Sequence, residues 1–167
     1  MSTLNVTNIG AADGTSGLTI ANTTGIVTKP NVVAWLVNKS AVQTSSGANE
    51  LVTWNTVTLN QGSGFQTSGG NANKFVAPVH GIYTTAATIL SVSGTDNDDI
   101  FLMKNNAGVV RFRNTNASGH ESYGFTWVGE LDAGDTLHLA FASASRSVYG
   151  DTSTNQYWTT WCGHFIG

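Results

Sequence analysis

Large apolar side chains recur at every second residue along much of the chain. Tyr123, Phe125 and Trp127 follow this period in one segment, and Leu137 and Leu139 follow it in the next. Because successive residues of a strand point to opposite faces of a sheet, this period is typical of a strand with one face in a core. Gly, Asn, Ser and Thr clusters separate such segments, and no segment follows the helical period. The chain is therefore predicted to be all-β, a β-sandwich or jelly roll of eight or nine short strands, which the family resemblance described below narrows to a jelly-roll β-sandwich of about eight to ten strands.

The composition supports this fold class and excludes several functions. Gly, Thr, Asn and Ser provide 73 of the 167 residues, and only 10% of residues are charged, against about 25% in an ordinary soluble domain. Gly and Asn are poor helix formers and Thr favours strands, which excludes an all-helical fold. The formal net charge of −3 provides no basic patch, so we expect no nucleic-acid partner. No apolar stretch approaches the ~18 residues of a transmembrane helix, so we expect no membrane insertion.

Turn residues and short apolar segments place several strands and loops. The segments 100–104 and 109–113 flank Asn-Asn-Ala-Gly at 105–108, which predicts a hairpin because Asn and Gly tolerate a positive φ. A further strand is predicted from Leu51 to Leu59. The small-residue stretch 143–155 is predicted to be a loop.

The chain is predicted to divide into an extended docking arm at residues 1–31 and a head at residues 32–167. The arm has no aromatic residue, and glycines separate its apolar positions, among them Leu4, Val6, Ile9, Leu18 and Ile20. So few large side chains cannot bury a core alone. The arm is therefore either a flexible leader or a segment whose short strands add to a neighbouring subunit or a docking partner.

No arrangement of residues predicts catalysis. The sequence has no Gly-x-Ser-x-Gly elbow, no Gly-x-x-x-x-Gly-Lys loop, no Cys-x-x-Cys and no His-Glu-x-x-His. The single cysteine, Cys162, cannot form an internal disulfide and is predicted to be a buried, inert thiol. We therefore expect no enzyme activity, no catalytic residues and no cofactor.

One acidic cluster, Asp96, Asp98 and Asp99, is a secondary candidate for a metal site. Calcium prefers several oxygen ligands from a flexible loop, but Asp and Asn are also ordinary turn residues. Apart from this cluster no metal is assigned. A metal shared between subunits, with one histidine from each, is the alternative, since the chain has four histidines.

The two-residue period also assigns faces to the last strand, predicted from Tyr157 to Ile166. Tyr157, Trp161 and Phe165 are expected to fill the sandwich, and the residues between them to face outward. An outward tryptophan among small residues favours contact between subunits. The predicted interface between subunits, which becomes a trimer interface under the family resemblance described next, consists of Thr126, Val128, Trp158, Thr160 and His164.

Four segments in a fixed order resemble one known family. Residues 53–60 resemble its early strand ending in Asn, and residues 74–83 resemble its most specific element, Gly-x-Phe-x-x-Pro-x-x-Gly-x-Tyr, with Asn73 in place of the first Gly. Residues 131–137 resemble its Leu-x-x-Gly-Asp-x-Val turn, and residues 161–166 its closing Phe-Ser-Gly-Phe-Leu-Ile strand. In this order the head resembles the globular head of complement C1q and the wider tumour necrosis factor-like jelly rolls.

This resemblance implies a compact homotrimer of ten-strand jelly rolls around a threefold axis. It implies a binding role rather than catalysis, and some members of the family bind calcium. The chain differs from animal members because no Gly-X-Y stalk precedes the head, and residues 1–10 do not have the pattern of a secretion signal.

The arm resembles N-terminal segments of tail-fibre and other appendage proteins of marine bacteriophages. The two resemblances together imply a non-enzymatic structural protein of a bacteriophage virion, assembled in the host cytoplasm. Residues 1–31 would bind capsid or tail proteins, and the head would face outward. Two roles stay open: a short tail fibre or receptor-binding tip that contacts a host surface glycan or protein, and a capsid decoration (cement) protein. The alternative is an independent carbohydrate- or protein-binding C1q-like module.

Overall fold

The computed structural model describes residues 8–10, 16–20, 27–28, 32–92, 98–114, 120–151 and 157–167. The chain divides into two compact units, Met1–Val32 and Val33–Gly167. The strands of the first unit are β1 (Asn8–Gly10), β2 (Ser16–Ile20) and β3 (Val27–Thr28). They pair antiparallel in the order β1-β2-β3.

These strands contain three of the five apolar positions assigned to the docking arm. Ile9 lies in β1, and Leu18 and Ile20, which are spaced two residues apart as in a strand, lie in β2. Leu4 and Val6 lie outside the described residues. The three strands pair with one another as a small meander, which differs from a single extended segment. Their addition to a partner stays a prediction.

The second unit contains two five-stranded antiparallel sheets among its described residues. The front sheet consists of β7 (Phe65–Gln66), β8 (Lys74–Val76), β10 (Asp98–Lys104), β11 (Ala107–Asn114) and β13 (Thr136–Phe141), in the order β11-β10-β13-β8-β7. The back sheet consists of β4 (Ala34–Asn38), β6 (Thr56–Gln61), β9 (Gly81–Leu90), β12 (Ser122–Leu131) and β15 (Thr160–Phe165), in the order β12-β9-β15-β4-β6. The predicted all-β sandwich is confirmed. Outside the two sheets, β5 (Gln43–Thr44) pairs with β14 (Ser147–Val148), and Gly69–Asn71 forms one 3-10 turn.

Aromatic side chains from both sheets fill the space between them. Trp35 of the back sheet stacks on Phe75 of the front sheet, with ring centroids 3.9 Å apart. Trp161 of the back sheet meets Phe65 of the front sheet at 6.0 Å and Trp54 at 5.9 Å. All five rings are buried. The core is therefore a contact between aromatic faces and edges, which adds to the burial of their large apolar surface.

Among the described residues some buried polar groups at this core have partners, whereas the indole N–H groups of Trp35 and Trp54 have no hydrogen-bond partner. The Trp161 indole N–H donates to the Thr85 hydroxyl at 2.7 Å, and that hydroxyl donates to the Cys162 carbonyl at 2.7 Å. The Lys39 side chain, 1% exposed, donates to the Gln43 side-chain oxygen at 2.9 Å and to the Thr53 carbonyl at 2.8 Å. Burial lowers the pKa of Lys39 to about 8. These bonds satisfy groups that would otherwise cost free energy inside the sandwich.

The Pro-containing segment and the Gly-Asp turn contact each other. The Ala77 N–H donates to the Asp135 carbonyl and the Gly134 N–H to the Ala77 carbonyl, both at 2.8 Å. Gly134 has a φ of 92°, which glycine adopts without steric cost. The Asp135 carboxylate accepts from Asn105 at 2.7 Å and from Lys104 at 2.9 Å, and these contacts lower its pKa to about 2. Both segments therefore maintain the fold.

The hairpin prediction is confirmed, and two other boundaries are corrected. β10 and β11 are joined through Asn105 and Asn106, whose φ values are 51° and 66°. The strand predicted at 51–59 instead runs Thr56–Gln61. Before this strand, the Trp54 N–H donates to the Asn73 side-chain oxygen at 2.8 Å instead of to a neighbouring strand. The predicted loop 143–155 contains the short strand β14.

The last strand begins three residues later than predicted, at Thr160 rather than Tyr157. Trp161 is fully buried, and Phe165 packs against the core, as expected. Tyr157 is 38% exposed and does not fill the sandwich. Alternation fails for Tyr157 because the residue precedes the strand whose pleat would direct it inward.

Gly163 is a position where the core depends on a missing side chain. A Cβ there would fall on the Trp35 ring and 2.6 Å from the Thr84 carbonyl oxygen. We expect Gly163→Ala to lower the free energy of unfolding by about 1–3 kcal/mol, because an overpacked core must shift its neighbours. Urea unfolding followed by tryptophan fluorescence measures this. Gly47→Ala is the control, since a Cβ at Gly47 meets nothing within 4 Å; equal midpoints for the two variants would contradict the prediction.

Candidate functional site: the outer face of the back sheet

The outer face of the back sheet is formed by the residues that alternate with its core positions. In β12 every second residue from Ser122 to Glu130 is exposed, and the residues between them are half-buried. In β9 the alternation buries Tyr83, Thr85, Ala87 and Ile89 and leaves Ile82, Thr84, Ala86 and Thr88 on the outer face. The pleat of each strand therefore produces two chemically different faces.

Strand register aligns the outer residues in rows across the sheet. The central row is Thr126, Ala86, Cys162, Leu36 and Leu59. The next row is Val128, Thr84, His164, Ala34 and Gln61. Neither row contains Lys, Arg, Asp or Glu. These two rows of the face therefore consist mostly of small or apolar residues.

Four of the five predicted interface residues lie on this face. Thr126 and Val128 are exposed on β12, and Thr160 and His164 lie on the outer side of β15. The fifth residue, Trp158, precedes β15. The contact of this face with another subunit stays a prediction.

Sequence reasoning missed three apolar residues of the face, Ile82, Leu36 and Leu59. Ile82 could have been found, because it begins an alternation with Thr84 and Ala86 along β9. Leu59 was assigned to a strand with wrong boundaries, which hid its face.

A cleft opens beside this face, at the end of the sheet where β9 ends and β12 begins. It encloses about 470 Å³ and is lined by Leu90, His120, Ser122, Tyr149, Asp151 and Trp158. The rings of His120 and Tyr149 meet edge to face at 5.1 Å. The Tyr149 hydroxyl donates to an Asp151 carboxylate oxygen at 3.2 Å. Trp158 is 45% exposed. The cleft thus combines aromatic surface with a hydroxyl and a carboxylate.

One member of the acidic cluster predicted as a calcium site, Asp99, is bound by two arginines. Arg113 binds the Asp99 carboxylate through two nitrogens, at 2.8 and 3.0 Å, and Arg111 binds it as well. Burial raises the pKa of Asp99, but the hydrogen bonds from Arg113 and Arg111 outweigh it and hold that pKa below its usual range. Asp98 begins β10, and Asp96 lies outside the described residues. Asp99 therefore gives the calcium prediction no support.

A family model for the C1q domain matches residues 34–166. The chain belongs to the C1q domain family. Solved structures with similar folds are the globular domain of zebrafish complement 1qA (TM-score 0.64, 16% identity, covering 81% of this chain and 98% of that one) and murine APRIL (0.61, 16%, 81% and 100%). The Eiger TNF of S. frugiperda is similar as well (0.60, 13%, 81% and 93%). No curated protein matches the chain. The predicted resemblance of the head is confirmed.

In this C1q domain the cysteine lies on the outer face instead of in the core. Cys162 is half-buried, and burial raises the pKa of its thiol, so it is protonated and a poor nucleophile at neutral pH. Across the part of the chain that the structure describes, no group of three or more His, Cys, Asp or Glu could hold a metal ion. Among those same residues, none forms a helix long and apolar enough to cross a membrane.

The ion pairs of Asp99 with Arg111 and Arg113 lead to a prediction about how the stability of the fold depends on pH. We expect Asp99→Asn to lower the free energy of unfolding at neutral pH by about 1–3 kcal/mol, because two guanidinium groups lose their charged acceptor. Since the folded pKa of Asp99 is depressed, this contribution is complete above the unfolded pKa and disappears as pH falls through the folded pKa.

Urea unfolding between about pH 7 and pH 3 measures the difference from the wild type, which should shrink toward acid. Asp132→Asn is the matched control, because Asp132 is 79% exposed and pairs only with His80 among the ion pairs of the described residues, and such surface pairs contribute little. A difference for Asp99→Asn that stays constant with pH would contradict the prediction.

Proposed function

We propose that this C1q domain is a non-enzymatic binding protein that trimerises through the outer face of its back sheet. One observation carries the proposal: the two rows through Thr126 and Val128 lack charge, and the face exposes apolar side chains. Val128 of β12 is 58% exposed, Leu59 of β6 43% and Ile82 of β9 39%. Exposed apolar surface of this kind marks interaction sites.

The composition of the face suits contact between identical copies. Small side chains such as Thr84 and Ala86 allow a second backbone to come close. Burying this face desolvates few ionised groups, and the cost of such desolvation is what makes buried charges unfavourable. The homotrimer is also what the resemblance to C1q heads implies.

We further propose that the trimer is a component of a bacteriophage virion, attached through residues 1–31 to capsid or tail proteins. The resemblance of that segment to phage appendage proteins supports this role. Three short strands in a segment without aromatic residues are suited to gain further strands or contacts from a partner. A receptor-binding tip and a capsid decoration protein are the two positions such a protein would fill.

The cleft favours a second candidate, an independent carbohydrate- or protein-binding module. Its exposed Trp158 and its Tyr149 are residue types that binding surfaces use as anchors. This candidate needs no docking role for residues 1–31.

The trimer prediction is tested by placing a charge on the face. We expect Val128→Arg to convert the trimer into a monomer, because each subunit would bring a cation into an apolar contact. Sedimentation equilibrium should give three times the 17.5 kDa chain mass for the wild type and one for the variant. Val109→Arg is the matched control, as Val109 is 42% exposed on the front sheet. A wild-type monomer at micromolar concentration would refute the proposal.

Deleting residues 1–31 separates the virion role from the independent module. We expect the truncated chain to stay soluble and trimeric but to be missing from purified phage particles, because the docking segment is gone. Immunogold labelling of particles made with the full chain would locate it on the shell or the tail. Unchanged incorporation of the truncated chain would contradict the docking role.

A further inference from the structure

We propose that the cleft beside Trp158 binds a neutral saccharide, with the Trp158 and Tyr149 rings against the sugar and Asp151 and Ser122 at its hydroxyls. This inference rests on the proposed binding function. It does not depend on trimerisation or on the virion role, because all lining residues belong to one chain.

The size of the cleft fits a small ligand. About 470 Å³ lies within the range of ordinary small-molecule sites, roughly 300–1,000 Å³. Its lining residues come from four separate places: the end of β9, the start of β12, the segment after β14 and the segment before β15. Sites that gather polar groups from several segments around apolar surface are the usual form of a binding pocket.

The aromatic part of the cleft is exposed without serving the core. Trp158 is 45% exposed and is not a member of the core cluster. The Tyr149 ring is held by the His120 ring at 5.1 Å and by its backbone N–H, which donates to the Leu90 carbonyl at 2.8 Å. An aromatic face is electron-rich, so it attracts the C–H groups on the apolar face of a sugar ring.

The polar groups of the cleft can form hydrogen bonds with the hydroxyl groups of a sugar. A carboxylate accepts about four hydrogen bonds, so Asp151 can accept from a sugar in addition to Tyr149. Ser122 supplies a hydroxyl that both donates and accepts. Because Tyr149 donates to Asp151 at 3.2 Å, one contact orients both the aromatic and the carboxylate.

The charge of the lining residues selects neutral ligands. Among the described residues that line the cleft, one carries a carboxylate and none is Lys or Arg. A uronic acid or a phosphate would place a second negative charge near the Asp151 carboxylate, at a cost in affinity. A neutral pyranose meets no such charge.

The proposal assigns Trp158 to a ligand instead of to a neighbouring subunit. Leu90 and Ser122, which also line the cleft, form the register pair at the end of the sheet, and Trp158 lies two residues before β15 begins. The rows that carry the apolar centre, with Thr126 and Val128, lie farther along β12.

The test uses the full chain titrated with glucose, galactose, mannose, N-acetylglucosamine, lactose and cellobiose. Binding is followed by tryptophan fluorescence and by isothermal calorimetry. We expect at least one of these sugars to bind with a dissociation constant in the range of about 0.1–10 mM, as befits a single open site. Trp158→Ala and Asp151→Asn should each weaken that binding at least about tenfold, and Trp158→Phe less than Trp158→Ala.

Tyr157→Ala is the matched control. Tyr157 is an exposed aromatic residue in the same segment that does not line the cleft, so its removal should leave the affinity unchanged. Circular dichroism and sedimentation of each variant should match the wild type. A trimer lost in Trp158→Ala would overturn the assignment, because Trp158 would then belong to the subunit interface.

Other outcomes also overturn the proposal: no binding of any of the six sugars at about 50 mM, equal binding by the two cleft variants and the wild type, or tighter binding of glucuronate or of choline. The Val128→Arg variant keeps this test separate from the trimer proposal. A monomeric Val128→Arg chain that still binds the sugar supports both proposals. Absence of sugar binding in a wild-type trimer removes the cleft proposal alone.

Discussion

The stack of Trp35 on Phe75 joins the two sheets, and much else in the head depends on it. The Trp35 ring lies over Gly163, where any side chain would meet it, so the back sheet must have a glycine in β15 at that point. Trp161, two residues earlier, satisfies its indole N–H through Thr85 on the adjacent strand. The aromatic contacts therefore determine how β15, β4 and β9 lie side by side, and with that which residues share each outer row.

Because side chains alternate along a strand, the residues fixed in the core determine which residues lie on the surface. A strand that places aromatic rings in the core must turn its other residues outward, and in β12 and β15 these are mostly Thr, Gly, Ser, Val and His. The outer face does not contribute to this aromatic core and can therefore carry small and apolar residues. The low charge of the whole chain then has a local meaning, because the ion pairs among the described residues lie at Asp99, at the turn around Asp135 and at His80 with Glu130 and Asp132, and none involves the two uncharged rows.

Features that arise from short-range pattern could be predicted from the sequence, whereas features that depend on tertiary partners could not. The hairpin at Asn105 and the outward side of β15 were predicted correctly because turn chemistry and alternation are local. The strand boundary near Trp54 was predicted wrongly. Trp54 is buried by contact with Trp161, as a strand residue would be, but its backbone N–H donates to Asn73. Asp99 resembled a cation ligand, yet register places it opposite Arg113. The cleft joins four distant segments, which no spacing rule connects.

The two ends of the back sheet differ in a way that bears on how a head of this kind is used. β4 begins at Ala34, in the row of Thr84 and Val128, so the chain enters the sheet at that end. The cleft lies at the other end, at the pair of Leu90 and Ser122, six residues along β9 and therefore about 20 Å away. The point where the chain enters and the cleft are thus separated along the strands. Under the proposed functions, a ligand in the cleft would therefore leave free the end of the sheet where the chain enters, and the uncharged rows through Thr126 and Val128 would stay available for contact with other copies.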